Sequence, residues 1–331
     1  MDHLKGIKVI ELEGLAPVPF CGQILADFGA DVTVVKKKTK NVETKFCRNK
    51  KVNSLDYKSD LHQLTRLILD SDVLLDPFKP GVLEAIGLDP IQLLQLNPRL
   101  IVARITGYGQ TGAMVQKGGH DINYVAMSGV LPLISGQNNP WPPANVLADF
   151  AGGGLTGAFG ILAAVVKRHS TGTGGVVDVS MTEGVSYLGS MLFEYKGNEV
   201  MWKKEAGLFT GSCPIYRTYK TKDDKFMAVG ALEPKFHQAV FKVLSVDPAL
   251  VGAPEELTKQ METKFASKSR DEWVKVFKDL DACVTPVLDL EEVATSELHK
   301  SRNNFKNNES MAQPAPRIHS LEDLKKLNAK L

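Results

Sequence analysis

Residues 7–35 constrain the fold more than any other stretch. Ile7-Lys8-Val9-Ile10-Glu11-Leu12 is a short apolar run, Gly14 to Pro19 a Gly/Pro turn, and Phe20 to Phe28 an amphipathic helical stretch. Gly29-Ala30-Asp31 then leads into the β-branched run Val32-Thr33-Val34-Val35. Two strands separated by a helix pair in parallel, because the crossover returns the second strand in the direction of the first. The pattern recurs: a helix over Asp60 to Leu69, a strand at 72–75, a helix over Pro90 to Gln95, and strands at 100–105 and 176–179. The spacing predicts an α/β fold with an open, doubly wound sheet and sites at the carboxyl ends of its strands.

With 331 residues the chain is too long for most single cores. Residues 1–190, with the tail 300–331, are expected to form the large domain. A linker is expected over 191–211, a smaller α+β domain over 212–290, and a return linker over 291–299. The small domain opens on a hairpin: Pro214 to Tyr219 and Phe226 to Gly230 flank the turn Lys222-Asp223-Asp224-Lys225. The small-residue run Leu155 to Val166 reads as a buried helix.

Composition excludes several function classes. A formal charge of +2 gives no strong field for nucleic acid, although the Lys36 to Lys38 and Lys50-Lys51 clusters suit a small polyanion. No apolar run approaches the roughly 18–20 residues of a membrane span, and the first residues carry neither a signal nor a transit pattern. The four cysteines (Cys21, Cys47, Cys213, Cys283) lie far apart without a CxxC, so neither a metal site nor a disulfide framework is expected. Gly107-Tyr108-Gly109-Gln110-Thr111-Gly112 is a literal GxGxxG after a strand. The segment behind it, Ala113 to Lys117, is too short for the helix that would hold a pyrophosphate, so no nucleotide cofactor is expected.

Two motifs carry candidate chemistry. Gly118-Gly119-His120-Asp121-Ile122-Asn123-Tyr124 sets an imidazole beside a carboxylate, and Leu147-Ala148-Asp149-Phe150-Ala151-Gly152-Gly153-Gly154 sets a carboxylate before three glycines. A His and an Asp on one pocket are proton carriers of different basicity, suited to taking a proton from one side of a carbon and delivering one to the other. The same residues also fit a structural role, with Asp149 as a helix cap and His120 satisfied in a core.

These motifs resemble class III (formyl-CoA transferase-like) CoA transferases, and within that family the α-methylacyl-CoA racemase branch. The likeness extends collinearly through Glu13 to Pro17, Leu25 to Ala30, Asn97 to Ile101, Gly107 to Gly112, Ala228 to Pro234 and Asp281 to Leu288. It implies a Rossmann-like large domain, an interlocked homodimer, an acyl-CoA thioester as substrate and no cofactor. By the resemblance, His120 serves the (S) face and Asp149 the (R) face of the α-carbon, and Glu233 hydrogen-bonds His120. The enolate oxygen would be met by backbone N–H groups at the start of the helix following Asp149. Lys37, Leu55, Lys58 and Lys79 match positions lining the CoA site, with Arg48, Lys50 and Lys51 on the same loop. Gly119, Asp121, Tyr124 and Asn145 match positions near the reacting carbon.

The chain departs from the family pattern in places. Ala85 stands where a basic residue is usual, Thr210 replaces an aspartate, and Ser212 replaces a glycine in the segment bordering the acyl pocket. The sequence also ends sooner than most members. A CoA transferase using Asp149 as nucleophile is the enzyme alternative, and an acyl-CoA-binding paralogue with weakened turnover the non-enzyme one. Ala329-Lys330-Leu331 differs by one small residue from the Ser-Lys-Leu address. A peroxisomal location is therefore expected, with mitochondria or cytoplasm as alternatives.

Overall fold

A computed structural model of the chain describes residues 2–38, 46–136, 138–305 and 311–328. β1 (Lys8–Leu12), α1 (Pro17–Asp27) and β2 (Asp31–Lys36) form a parallel β-α-β unit in which Val9 lies opposite Val32. α1 begins inside the expected Gly/Pro turn. Pro17 occupies its first turn, where a missing N–H is harmless because that donor has no partner within the helix.

β3 (Lys51–Ser54), α2 (Leu61–Leu69), β4 (Val73–Asp76), α3 (Val82–Ala85), α4 (Pro90–Leu96) and β5 (Ile101–Thr106) follow. Then come α5 (Asp121–Met127), α6 (Leu131–Ile134), a π-helix (Val146–Leu155), α7 (Thr156–Thr171), β6 (Gly175–Ser180) and α8 (Met181–Leu188). The strand order is β3-β2-β1-β4-β5-β6, all parallel. The order reverses between β1 and β4, and an open sheet leaves a crevice at such a point. β3 carries almost no apolar signal; it is an edge strand held by backbone pairing with β2, Val34 opposite Val52.

Side-chain alternation divides the sheet into two cores. Val9, Val32, Val73, Ile101 and Ala103 pack beneath Val18 and Leu25 of α1 and Ile161 of α7. Ile10, Leu12, Leu74 and Val102 face the other way, onto Leu64 and Ile68 of α2 and Leu93 of α4.

The chain divides into two compact units. The first is Met1–Leu131, Pro142–Met191 and Pro314–Leu331; the second is Pro132–Trp141 and Leu192–Gln313. The second contains α10 (Glu199–Trp202) after α9 (Ser190–Glu194), then β7 (Tyr216–Lys220), β8 (Phe226–Gly230), α11 (Pro234–Leu244), α12 (Pro254–Phe265), α13 (Arg270–Phe277), β9 (Val284–Pro286), α14 (Leu290–Val293) and α15 (Glu297–Ser301). β7, β8 and β9 form an antiparallel sheet over a core that includes Tyr219, Phe241, Phe265 and Trp273. α16 (Leu321–Asn328) belongs to the first unit.

The boundaries differ from the expected ones in four respects. Residues 132–141 join the second unit, the tail returns to the first at Pro314 rather than at 300, the expected return linker 291–299 lies within the second unit, and 192–211 is part of the second unit rather than a free linker. That last segment is polar yet ordered: the Leu208 N–H donates to Val200 O, and the Trp202 and Phe209 rings lie 5.8 Å apart.

The run from Leu155 to Val166 lies in one continuous helical stretch, Val146–Thr171, which is long and apolar enough by length and composition to cross a bilayer. No such run was evident from the sequence. Its packing accounts for part of its apolar character, since Ala158, Ile161 and Val165 are buried against the sheet and α1. It is not buried all round: Phe159 and Val166 are 71% and 70% exposed.

Candidate active site

The crevice at the carboxyl ends of β1, β4 and β5 holds a cavity of about 210 Å³. Leu15, Pro17 and Val18 wall it after β1, Pro77 and Lys79 after β4, and His120 and Asp149 both face it. The two candidate proton carriers therefore meet in one place, at the end of the sheet where the strand order predicts a site.

His120 is the residue before α5. Its backbone is extended (φ −127°) and its N–H donates to Asn123 Oδ1 at 3.0 Å, so the side chain leaves the helix rather than joining its buried face. It is exposed at the cavity and not a core histidine.

Asp149 is not a cap. The π-helix opens on Ala144 and Asn145, both left-handed (φ 50° and 59°), and Asp149 lies within its first turn. The capping carboxylate is Asp121. It is fully buried, and its Oδ2 accepts the Ala148 N–H at 2.7 Å and the Asp149 N–H at 3.0 Å. The helix sits close to its neighbours because Gly152, Gly153 and Gly154 lack side chains. A Cβ on Gly152 would lie 2.8 Å from Met181 O, and one on Gly154 would lie 2.7 Å from Phe20 Cδ1. The helix then runs into α7 without a break. No new helix start follows Asp149, and the N–H groups of Ala148 and Asp149 are already engaged by Asp121. The oxyanion donors expected at a helix start after Asp149 are therefore not found there.

Burial raises the Asp149 carboxyl to about 6, with the Asp121 charge adding to the rise and His120 opposing it. A carboxylate in that range is a better base than a solvated one and still ionised near neutrality.

Tyr124 forms a wall. Its hydroxyl donates to Gly119 O at 2.5 Å, its ring meets Tyr108 edge-on at 5.1 Å, and burial pushes its phenol up to about 12. Both neighbouring glycines make room for it: a Cβ on Gly107 would come within 2.1 Å of the ring, and one on Gly119 within 2.7 Å. This is the use of the GxGxxG stretch. No helix follows it before Asp121, and Gly107 and Tyr108 line the cavity instead.

The other candidates are spread more widely. Lys37, Lys58 and Lys79 follow β2, β3 and β4. The Lys37 ammonium lies over the Tyr57 and Phe78 rings at 5.2 and 5.1 Å, and Lys58 is exposed on a turn held by Asp56. Lys79 lines the cavity and donates to Gln116 O at 3.4 Å. Leu55 is 4% exposed within the lower core, so its side chain is not available to a ligand. Asn145 opens the π-helix and does not line the cavity.

The expected basic loop is committed to the protein itself. Arg48 grips Asp27, Lys50 is buried against Glu11, and Lys51 pairs with Asp31. Ala85 closes α3 beside Glu84, whose carboxylate is held by Arg104. Glu233 lies in the second unit, exposed, at the N-cap of α11. In that unit the Thr210 hydroxyl donates to Gly207 O and the Ser212 hydroxyl to Lys204 O, on the wall of a separate cavity of about 880 Å³. No cluster of His, Cys, Asp and Glu suited to a metal occurs among the described residues.

Sequence reasoning missed Lys117, Tyr108 and Pro17 as cavity residues. Only proximity to the GxGxxG and Gly/Pro turns pointed to them.

Comparison with known proteins places the chain. The family model for CoA-transferase family III matches residues 4–330. A CaiB/baiF CoA-transferase family protein of Caenorhabditis elegans is 52% identical, covering 99% of this chain and 98% of its own length. The alpha-methylacyl-CoA racemase of Mus musculus is 44% identical, covering 95% and 85%. The crystal structure of a CAIB/BAIF family protein from Brucella suis shares the fold at a TM-score of 0.77, with 22% identity over 99% of this chain and 98% of its own. With its parallel sheet, its crevice and these relatives, the chain belongs to CoA-transferase family III.

Proposed function

We propose that the chain is a cofactor-independent racemase that interconverts (R)- and (S)-2-methyl-branched acyl-CoA thioesters by moving the α-proton through an enolate. The observation that carries this reading is that His120 and Asp149 line one cavity. A single base returns a proton to the face it came from. Inversion needs a group on each side, one removing and one delivering. Asp149, with its carboxyl raised by burial, serves the (R) face, and His120, at the head of α5, serves the (S) face.

Lys37 and Lys58 supply positive charge for the CoA phosphates at the strand ends, and Lys79 does so from the cavity itself. By the family resemblance, Glu233 of a second copy would hydrogen-bond His120, which makes the homodimer the active form. The exposed apolar side chains Phe159 and Val166 on α7 and Tyr187 on α8 are consistent with a covered face. The C-terminal Ala-Lys-Leu, which lies outside the described residues, directs the protein to peroxisomes in this reading.

A CoA transferase is the second reading, favoured by the identity to a relative named for that family and by Asp149, whose carboxylate could attack a thioester alone. NMR of a 2-methylacyl-CoA in deuterated water decides. The racemase reading expects α-deuterium in both stereoisomers and no adduct. A hydroxylamine-sensitive covalent adduct without α-exchange would replace it with the transferase.

A further inference from the structure

One ion pair in the first unit takes no part in the chemistry above. Glu11 sits on β1 among the apolar residues that face α1, and Lys50 reaches it from the segment before β3. Their side chains are both 0% exposed, with Lys50 Nζ 2.7 Å from Glu11 Oε2. The same ammonium donates to Pro19 O, in the first turn of α1, at 2.8 Å. Gly22 is what admits the carboxylate, since a Cβ there would lie 1.8 Å from Glu11 Oε2. Glu11 Oε1 has no partner.

Such a pair is a poor way to stabilise a core. Removing two charges from water costs several kcal/mol per ion, and an apolar pair of similar volume commonly does as well or better. What an apolar pair cannot do is fix three elements at set hydrogen-bonding distances. Lys50 joins β1, the first turn of α1 and its own segment. Arg48, Asn49 and Gln23 clamp that segment further, to Asp27 and through the Arg48 carbonyl.

The first turn of α1 matters to the site in two ways. Pro17 and Val18 wall the cavity, and Pro17 and Phe20 press against the bare α-carbons of Gly153 and Gly154 in the helix that carries Asp149. The clamped segment touches that helix as well: the Phe46 ring lies 5.7 Å from both Phe20 and Phe150, and Phe150 is the residue after Asp149.

We propose that Lys50 and Glu11 are positioning residues, setting the depth of α1 and of Phe46 against the π-helix and so the placement of Asp149 toward the substrate. The proposal rests on the two-base reading of the site. It predicts a loss in turnover that exceeds any change in folding or substrate affinity, because a shift of about 1 Å in a reacting group costs on the order of a hundredfold.

The test compares the double variant Glu11→Leu/Lys50→Met with wild type, Lys50→Arg and Phe46→Ala. The single apolar changes are avoided because each would strand a buried charge. The double variant should unfold at or above the wild-type urea midpoint, and because Pro17 and Val18 wall the cavity its KM for the CoA ester should change, but by less than its kcat. Its kcat for α-proton exchange should fall at least tenfold, more from the (R) than from the (S) stereoisomer. Lys50→Arg should restore most of the rate. Phe46→Ala removes a partly buried ring and leaves the ion pair intact, and should show the same (R)-weighted loss whether or not the double variant folds. Wild-type kcat in the folded double variant, or equal losses on both stereoisomers in Phe46→Ala, overturns the proposal. Absence of exchange in the wild-type protein defeats the two-base reading instead. The same ratios are then read on thioester transfer, which also depends on where Asp149 stands.

Discussion

Asp121 is the residue whose replacement separates scaffold from chemistry most cleanly. Its Oδ2 receives two N–H groups from the π-helix, its Oδ1 has no partner, and it is 0% exposed. In Asp121→Ala the N–H groups of Ala148 and Asp149 lose their acceptor, at about 1–3 kcal/mol each. Relief of a buried carboxylate with one unpaired oxygen offsets part of that, leaving a net loss of about 2–4 kcal/mol. Equilibrium urea unfolding measures it directly. Asp121→Asn keeps an acceptor and removes the charge, so its effect on stability should be smaller, and its main effect should be electrostatic. The Asp121 charge helps to hold the Asp149 carboxyl up at about 6, but burial is the larger cause. In the asparagine variant, exchange from the (R) thioester should therefore rise at lower pH than in wild type. The midpoint should move down from about 6 without reaching the ordinary aspartate value of 3.8. The assay is the pH dependence of deuterium uptake at saturating substrate. An unmoved midpoint in Asp121→Asn, together with unchanged unfolding in Asp121→Ala, would falsify the account of Asp121 as both cap and charge.

Further expectations concern the same cavity. His120→Ala should lower exchange from the (S) thioester, and Asp149→Asn exchange from the (R), each by about 10²–10⁴-fold; equal small effects on both isomers would remove the two-base assignment. Gly107→Ala places a methyl 2.1 Å from the Tyr124 ring and should cost about 1–3 kcal/mol while distorting the cavity wall, to be read from unfolding and from KM together. Because the Asp149 pKa is raised in the folded state, the native protein holds more protons than the unfolded chain between 3.8 and about 6, and this residue's contribution to stability falls as pH rises through that window. Asp149→Asn should therefore gain stability relative to wild type on going from pH 4 to pH 7, and parallel curves would contradict the raised value. Phe159→Glu should shift sedimentation toward the monomer if α7 is a covered face.

Much of the first unit was legible because its strands are buried on both faces and read as short β-branched runs, as at Val32 to Val35 and Ile101 to Ile105. β3 was not, since Lys51-Val52-Asn53-Ser54 is an edge strand specified by backbone pairing rather than by side chains. Nor was β9, which has only three residues and depends on the hairpin β7–β8 for a partner. At the site, residue type and spacing singled out His120 and Asp149 and left Asp121 open as a cap or turn former, but not that it would cap the very helix that carries Asp149, in that residue's place. That exchange depends on a contact between segments far apart in sequence, and on the wide turn of a π-helix that has no clear sequence signature. The basic loop misled for a related reason. Lys50 and Arg48 look like phosphate ligands in a string of charges, and only the fold reveals that Glu11 and Asp27 are waiting for them.

The racemase and transferase readings share Asp149, and its raised pKa does not choose between them. Burial makes the carboxylate at once a stronger base toward a carbon acid and a stronger nucleophile toward a thioester carbonyl. What separates the two chemistries is what stands opposite. A nucleophile needs only access to the carbonyl, whereas inversion at the α-carbon needs a second proton carrier across the same small space. In this chain the space is about 210 Å³, and beside Asp149 it is lined by two lysines, two tyrosines and one imidazole, that of His120. The extended backbone at His120 and the Asn123 side chain that accepts its N–H aim the imidazole there at the expense of an ordinary helix start, in which a short oxygen-bearing side chain would have capped α5. A nucleophilic mechanism at Asp149 alone does not call on that arrangement, and for this reason the racemase reading proposed above rests on the histidine rather than the aspartate.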